Sequence, residues 1–185
     1  MSHETVNFGL SEQEKDYLLT QVKDSIKARL DGTELPADIP ESKVLKEKRG
    51  GFVTLKKNGN LRGCIGYIEA YKPLYKTIRE MAQAAAFDDP RFPEVDISEL
   101  PDIEIEISVL TPLREIDDPE IIEVGRHGLL IRHGSSSGLL LPQVPVEYGW
   151  NREEFLAHTC QKAGLAPDCW RRSRCRLFIF SAEIF

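Results

Sequence analysis

The sequence predicts an α+β fold, and three patterns carry that prediction. Residues 11–32 hold an apolar stripe at helical period. Residues 51–68 hold two strand-like runs joined by Asn58-Gly59, and residues 102–109 alternate strictly between polar and apolar. Helical and antiparallel strand signals are interspersed, with no repeated βαβ unit. At 185 residues, 41% hydrophobic and 29% charged, the chain has the size and composition of one globular domain spanning residues 1–185.

The first helix opens at Ser11, with Glu14 three residues on completing a capping box. Leu18, Val22, Ile26 and Leu30 then recur every four residues, and Asp31-Gly32 stops the helix because glycine tolerates the left-handed position past a helix end. Residues 33–41 carry Pro36 and Pro40 and read as a loop. The runs 51–57 and 60–68 form a hairpin, since Asn-Gly accepts the positive φ angles of a type I′ turn. A second helix runs from Pro73 to about Phe87, with Leu74, Ile78, Met81, Ala82 and Ala85 facing inward; Asp88-Asp89-Pro90 ends it. Ile103, Ile105, Ile107 and Val109 form the buried side of a strand whose other side is acidic. Short strands at about 128–133 and 138–141 flank Gly134-Ser-Ser-Ser-Gly138, a flexible polar tip. Asn151 and Glu154 box the start of a third helix that Gly164 closes. The unbroken run Leu177-Phe-Ile-Phe180 predicts a strand covered on both faces.

The net charge of -6 and pI near 5.3 argue against a general nucleic-acid binder. One local exception, Lys43, Lys46, Lys48, Arg49, Lys56, Lys57 and Arg62 offset only by Glu47, reads as a solvated basic face. The N-terminus shows no signal-peptide pattern, and no apolar run reaches the roughly 20 residues of a membrane span. Cys64, Cys160, Cys169 and Cys175 form no CxxC pair and read as reduced thiols, with Cys160 a core residue. A cytoplasmic, metal-free chain without a cofactor is the expectation.

Candidate chemistry centres on Leu61-Arg-Gly-Cys-Ile-Gly66. Glycine within a strand marks a bulge or a close approach by another group. Residues two apart on a strand share a face, so Arg62 is placed to favour a Cys64 thiolate, although a free cysteine also serves simply to fill space. Asp88-Asp-Pro-Arg-Phe-Pro93 is a rigid charged corner, either a locally paired loop or a wall of a binding cleft. Glu104 and Glu106 read as general acid/base groups or as a solvated strand face. His127, between turn residues, is the candidate for proton transfer. No P-loop, GxGxxG or HExxH motif is present.

In this order Phe52-Val-Thr-Leu55, Leu61-Arg-Gly-Cys-Ile-Gly66, Asp89-Pro-Arg-Phe92, Glu104-Ile-Glu-Ile-Ser108, Gly125 with His127-Gly128, Leu141-Pro-Gln-Val144 and Lys162-Ala-Gly164 resemble the AMMECR domain family over nearly the whole chain. The resemblance implies an α+β fold with a larger and a smaller subdomain meeting at a cleft. It implies that Arg62, Gly63, Cys64, Asp89, Arg91, Glu104 and His127 lie near that cleft, and it supplies no reaction. On the residues themselves, Cys64, His127 and Glu104 are the expected catalytic groups, and Arg62, Gly63, Asp89 and Arg91 the expected substrate-binding ones. It implies association with a Memo-like protein and a radical SAM enzyme, while the chain itself lacks a cysteine triad for an iron–sulfur cluster. An enzyme or enzyme component acting on a small molecule, and a non-catalytic protein-binding module, are the two functional expectations.

Overall fold

A computed structural model describes residues 9–36, 38–172 and 174–185. Helix α1 (Glu12–Asp31) begins with the reciprocal Ser11–Glu14 box and ends at Gly32, which takes a φ of 66° and whose N–H donates to the Ala28 and Arg29 carbonyls. After a single turn, α2 (Lys43–Lys46), the chain forms β1 (Gly51–Lys57) and β2 (Asn60–Tyr67). Asn58 and Gly59 between them take φ of 53° and 74°, as a type I′ turn demands. Helix α3 (Leu74–Phe87) and β3 (Ile103–Leu110) follow, with a 3₁₀ turn at Ile97–Asp102.

The described residues up to Leu110, with Glu183–Phe185, make one compact unit; Thr111–Ala182 make a second, smaller one. In the larger unit the C-terminal strand β8 (Ala182–Ile184) completes a sheet of order β2-β1-β3-β8. Helices α1 and α3 cover one face of it, packing Leu18, Val22, Ile26, Leu74, Ile78 and Met81 against Val53, Leu55, Ile107 and Val109. Strand alternation sends Phe52, Thr54 and Lys56 to the opposite face.

The smaller unit contains β4 (Arg114–Ile116), β5 (Gly128–His133), β6 (Ser136–Leu140), α4 (Gln143–Glu147), α5 (Arg152–Lys162) and β7 (Arg176–Phe180). Its sheet runs β4-β7-β5-β6 with antiparallel pairings throughout. Leu177 to Phe180 are all buried, as the unbroken apolar run predicts. Helix α5 starts at an Asn151–Glu154 box and packs Phe155, Leu156 and Cys160 into the core.

Three expectations are corrected here. The 134–138 tip is a tight turn at Gly134 (φ 59°), and Ser136, Ser137 and Gly138 belong to β6. Gly138 lies so close to α5 that a Cβ there would sit 2.4 Å from the Ala163 nitrogen. Cys160 and Cys169 are not reduced thiols but a disulfide across nine residues; only Cys64 and Cys175 are free. The basic run 43–62 is not an unopposed face either. Arg49 pairs with Glu47, Lys56 with Glu106, and Lys57 and Arg62 with Glu99. Two of those carboxylates come from far along the chain, where a local charge count does not reach.

Candidate functional site around Cys64

The hydrogen-bond register of the larger sheet decides which way Cys64 faces. The Leu110 N–H donates to the Gly50 carbonyl at 3.0 Å, so the following alternate pairs, Phe52/Ser108 and Thr54/Glu106, are the hydrogen-bonded ones between β1 and β3. Phe52 and Thr54 therefore spend their main-chain groups on β3 and stand opposite Gly66 and Cys64 in non-hydrogen-bonded pairs. Such pairs bring side chains close, and Thr54 Oγ1 lies 3.2 Å from Cys64 Sγ. The half-buried thiol thus sits on the face away from α1 and α3.

The same register points the main-chain N–H and C=O of Cys64 outward, because β2 is an edge strand. The loop after α3 supplies the missing partners. Asp89 Oδ2 accepts the Cys64 N–H at 2.9 Å, and Arg91 Nη2 donates to the Cys64 carbonyl at 3.2 Å. Asp89 in turn takes Arg91 Nε at 2.9 Å, Nη2 at 2.7 Å and the Arg91 backbone N–H at 3.1 Å. The salt bridge thereby imitates the peptide group of a neighbouring strand, which blunts an otherwise sticky edge. Hydrogen bonds from Arg91 hold the Asp89 carboxyl far below the usual carboxylate range, against the opposing effect of burial. Asp89 is a permanent anion with its acceptor sites filled, so it positions Arg91 rather than moving protons. The Arg91 side chain is itself 54% exposed.

Arg62 does not play the part its spacing predicts. Leu55 faces Gly63 while Lys56 faces Leu61, which leaves Arg62 in a β-bulge with no opposite residue and interrupts the alternation that would align it with Cys64. Its guanidinium grips Glu99 (2.8 and 3.2 Å) and the carbonyls of Pro93 (2.8 Å) and Glu94 (3.2 Å). It pins the 89–99 segment along the edge of β2. Arg62 first, and Lys57 second, pull the Glu99 pKa down to about 2.

The room left by Gly63 is taken by α3, since a Cβ at that position would stand 2.0 Å from the Ala85 carbonyl oxygen. The face of Gly66 is likewise taken by the Phe52 ring, 2.2 Å from such a Cβ. Glu104 is exposed on β3 opposite Lys56. The carboxylate aligned with Cys64 and Thr54 is instead Glu106, which pairs with Lys56 Nζ at 2.8 Å. His127 belongs to the smaller unit. Its Nδ1 accepts the Glu123 N–H at 3.1 Å while the His127 backbone N–H donates to the Glu123 carbonyl at 2.9 Å, a closed ring that fixes the turn before β5. Burial pushes its pKa below the ordinary histidine value, and the Glu123 carboxylate only partly opposes that. A neutral, turn-locking imidazole is the result.

Cys64, Asp89 and Arg91 thus converge, Gly63 and Arg62 support them, and two residues not among the sequence candidates join the group: Thr54, from the Phe52–Leu55 run, and Glu99. Among the described residues, no cluster of three or more His, Cys, Asp or Glu could hold a metal.

The arrangement lies within a stretch shared with known proteins. The AMMECR1 family pattern matches residues 19–185. Proteins of Methanopyrus kandleri and Methanothermobacter thermautotrophicus are each 48% identical over 185 aligned residues, covering 95% of this chain and 89% and 95% of theirs. The crystal structure of the uncharacterized protein PH0010 from Pyrococcus horikoshii superimposes with a TM-score of 0.89 at 42% identity, covering 96% of this chain and 93% of that one. With a family match over most of its length and full-length relatives near half identity, the chain belongs to the AMMECR1 family.

Proposed function

We propose that this protein is an enzyme or enzyme component that acts on a small molecule at Cys64, with the thiol as nucleophile or covalent carrier. The observation that carries the reading is the setting of that thiol. It is half-buried on the sheet face away from α1 and α3, beside the Thr54 hydroxyl, on a residue whose carbonyl accepts from a guanidinium anchored by a buried carboxylate. Arg91 Nη1 has no protein partner among the described residues, which suits it to an anionic group on the substrate. Arg62, Gly63 and Asp89 enter the reading as supports of that geometry. Glu104 and His127 enter it as proton-transfer groups only through the sequence reading, and a Memo-like protein and a radical SAM enzyme enter it as partners only through the family resemblance.

Brief iodoacetamide treatment at neutral pH, followed by peptide mass spectrometry, tests the proposal. Cys64 should alkylate first. Cys160 and Cys169 are tied up in their disulfide, and burial pushes the Cys175 thiol up. Faster modification of Cys175 would remove the nucleophile and leave a non-catalytic protein-binding module, with Leu61–Gly66 as its recognition surface, as the better reading.

A further inference from the structure

Beyond the bulge, the edge of β2 turns the main-chain donor and acceptor of Cys64 and of Gly66 outward, and only those of Cys64 are filled. At Cys64 the Asp89–Arg91 pair stands in for a neighbouring strand. Two residues on, Gly66 stands opposite Phe52 in the same non-hydrogen-bonded relation, so its N–H and C=O also point away from β1. Neither group has a partner among the described residues, and Gly66 is only half-buried. The Phe52 ring blocks the face of this residue, leaving its edge as the approach. The open stretch is short, because the Ile68 carbonyl turns back toward Gly50, where a Cβ would meet it at 2.4 Å.

From this we infer that Gly66 is a docking station for one extended residue of a peptide or peptide amide, held by a two-hydrogen-bond pairing with the Gly66 N–H and C=O. The chemistry selects that class. An anion would be served by donors alone and repelled by the carbonyl, whereas an extended peptide residue offers one acceptor and one donor at the matching spacing. A single open residue is too short to zip two copies of this chain together along their edges. The inference deepens the Cys64 reading by naming the substrate class. Gly66 lies roughly 6–7 Å along the strand from Cys64, and the Asp89–Arg91 pair closes the edge there, so a peptide paired at Gly66 ends beside the residue that bears the thiol.

Amide exchange and chemical shifts of the ¹⁵N-labelled full chain test it, with N-acetyl-glycyl-glycine N-methylamide as the probe. In the free protein the Gly66 amide should exchange far faster than that of Ile65, whose N–H is turned toward β1. Millimolar probe should shift the Gly66 resonance and slow its exchange. A depsipeptide analogue with the pairing N–H replaced by an ester oxygen should bind roughly fivefold more weakly. A Gly66 amide already as slow as Ile65, an unmoved resonance at millimolar probe, protection that tracks protein concentration instead of probe, or equal binding of the depsipeptide would each overturn the inference. Repeating the titration with Cys64→Ser separates the two proposals. Probe binding should survive that change, so failure of the thiol chemistry and failure of the peptide station are read independently.

Discussion

Replacing Gly63 with alanine tests the packing on which the Cys64 site rests. The added Cβ would stand 2.0 Å from the Ala85 carbonyl oxygen and 3.0 Å from its carbon. Comfortable contact needs well over 3 Å, so strand and helix must part by roughly 1.2 Å or more. The obstructing atom belongs to the main chain of α3, so no side-chain rotation relieves it. Overpacking of this kind costs about 1–3 kcal/mol, and the rigidity of both elements places Gly63→Ala at the upper end. The smaller conformational entropy of alanine in the unfolded chain returns roughly 0.4–1 kcal/mol. The net expectation is a loss of about 2 kcal/mol, seen as a lower urea midpoint with an unchanged slope. The alkylation rate of Cys64 should change in the same variant, because its neighbour on the strand has moved. A midpoint within about 0.5 kcal/mol of the parent, or a more stable variant, would mean that β2 and α3 are not in the contact described.

Gly59→Val forces a β-branched residue into a φ of 74° and should cost about 1–2 kcal/mol; an unchanged denaturation midpoint would show that the turn has another geometry. Reducing the Cys160–Cys169 bridge frees a loop spanning nine residues and should cost about 2.5–3 kcal/mol; equal midpoints with and without reductant would show that the cross-link adds nothing. Acid should weaken the fold through Glu99. Its folded pKa lies at about 2 against an ordinary 4.5, so its contribution is complete above about pH 4.5 and fades as pH falls toward 2. Allowing for solvent screening, that contribution is roughly 1–2 kcal/mol. Glu99→Gln should flatten the acid limb accordingly, and an acid limb identical to the parent's would refute the Arg62–Glu99–Lys57 assignment.

Elements with local punctuation were readable from sequence. The Ser11 and Asn151 capping boxes, the Asn58-Gly59 turn and the alternation after Ile103 all correspond to formed elements, because each signal is a hydrogen bond or a φ angle made within a few residues. The short elements β4, β8, α2 and α4 left no such mark; three- to five-residue segments are stabilised by what they pair with. The candidate site was legible in membership more than in roles. Counting back from a two-residue turn would set Cys64 opposite Val53, on the core side of the sheet. The bulge at Arg62 adds one residue, sets Cys64 opposite Thr54, and sends its side chain to the other face. The glycines in residues 60–67 signal a bulge or a close approach without saying which, or at which residue. Arg62 needs Glu99 and the Pro93–Glu94 carbonyls to hold it there, about thirty positions downstream. The pairing of Asp89 with Arg91, two residues apart, was readable as one of two alternatives; its grip on the main chain of Cys64 was not.

That grip has a consequence for how residue 64 can vary. Asp89 and Arg91 hold its amide and its carbonyl, atoms that every residue except proline possesses, and they ask nothing of the side chain. These contacts therefore fix a backbone at this position, and the Thr54 hydroxyl alone meets what hangs from it. Serine or alanine at 64 would leave the strand edge clipped and the corner at 89–91 in place. A variant lacking the sulfur therefore removes one contact, that with the Thr54 hydroxyl, and leaves the scaffold around it standing.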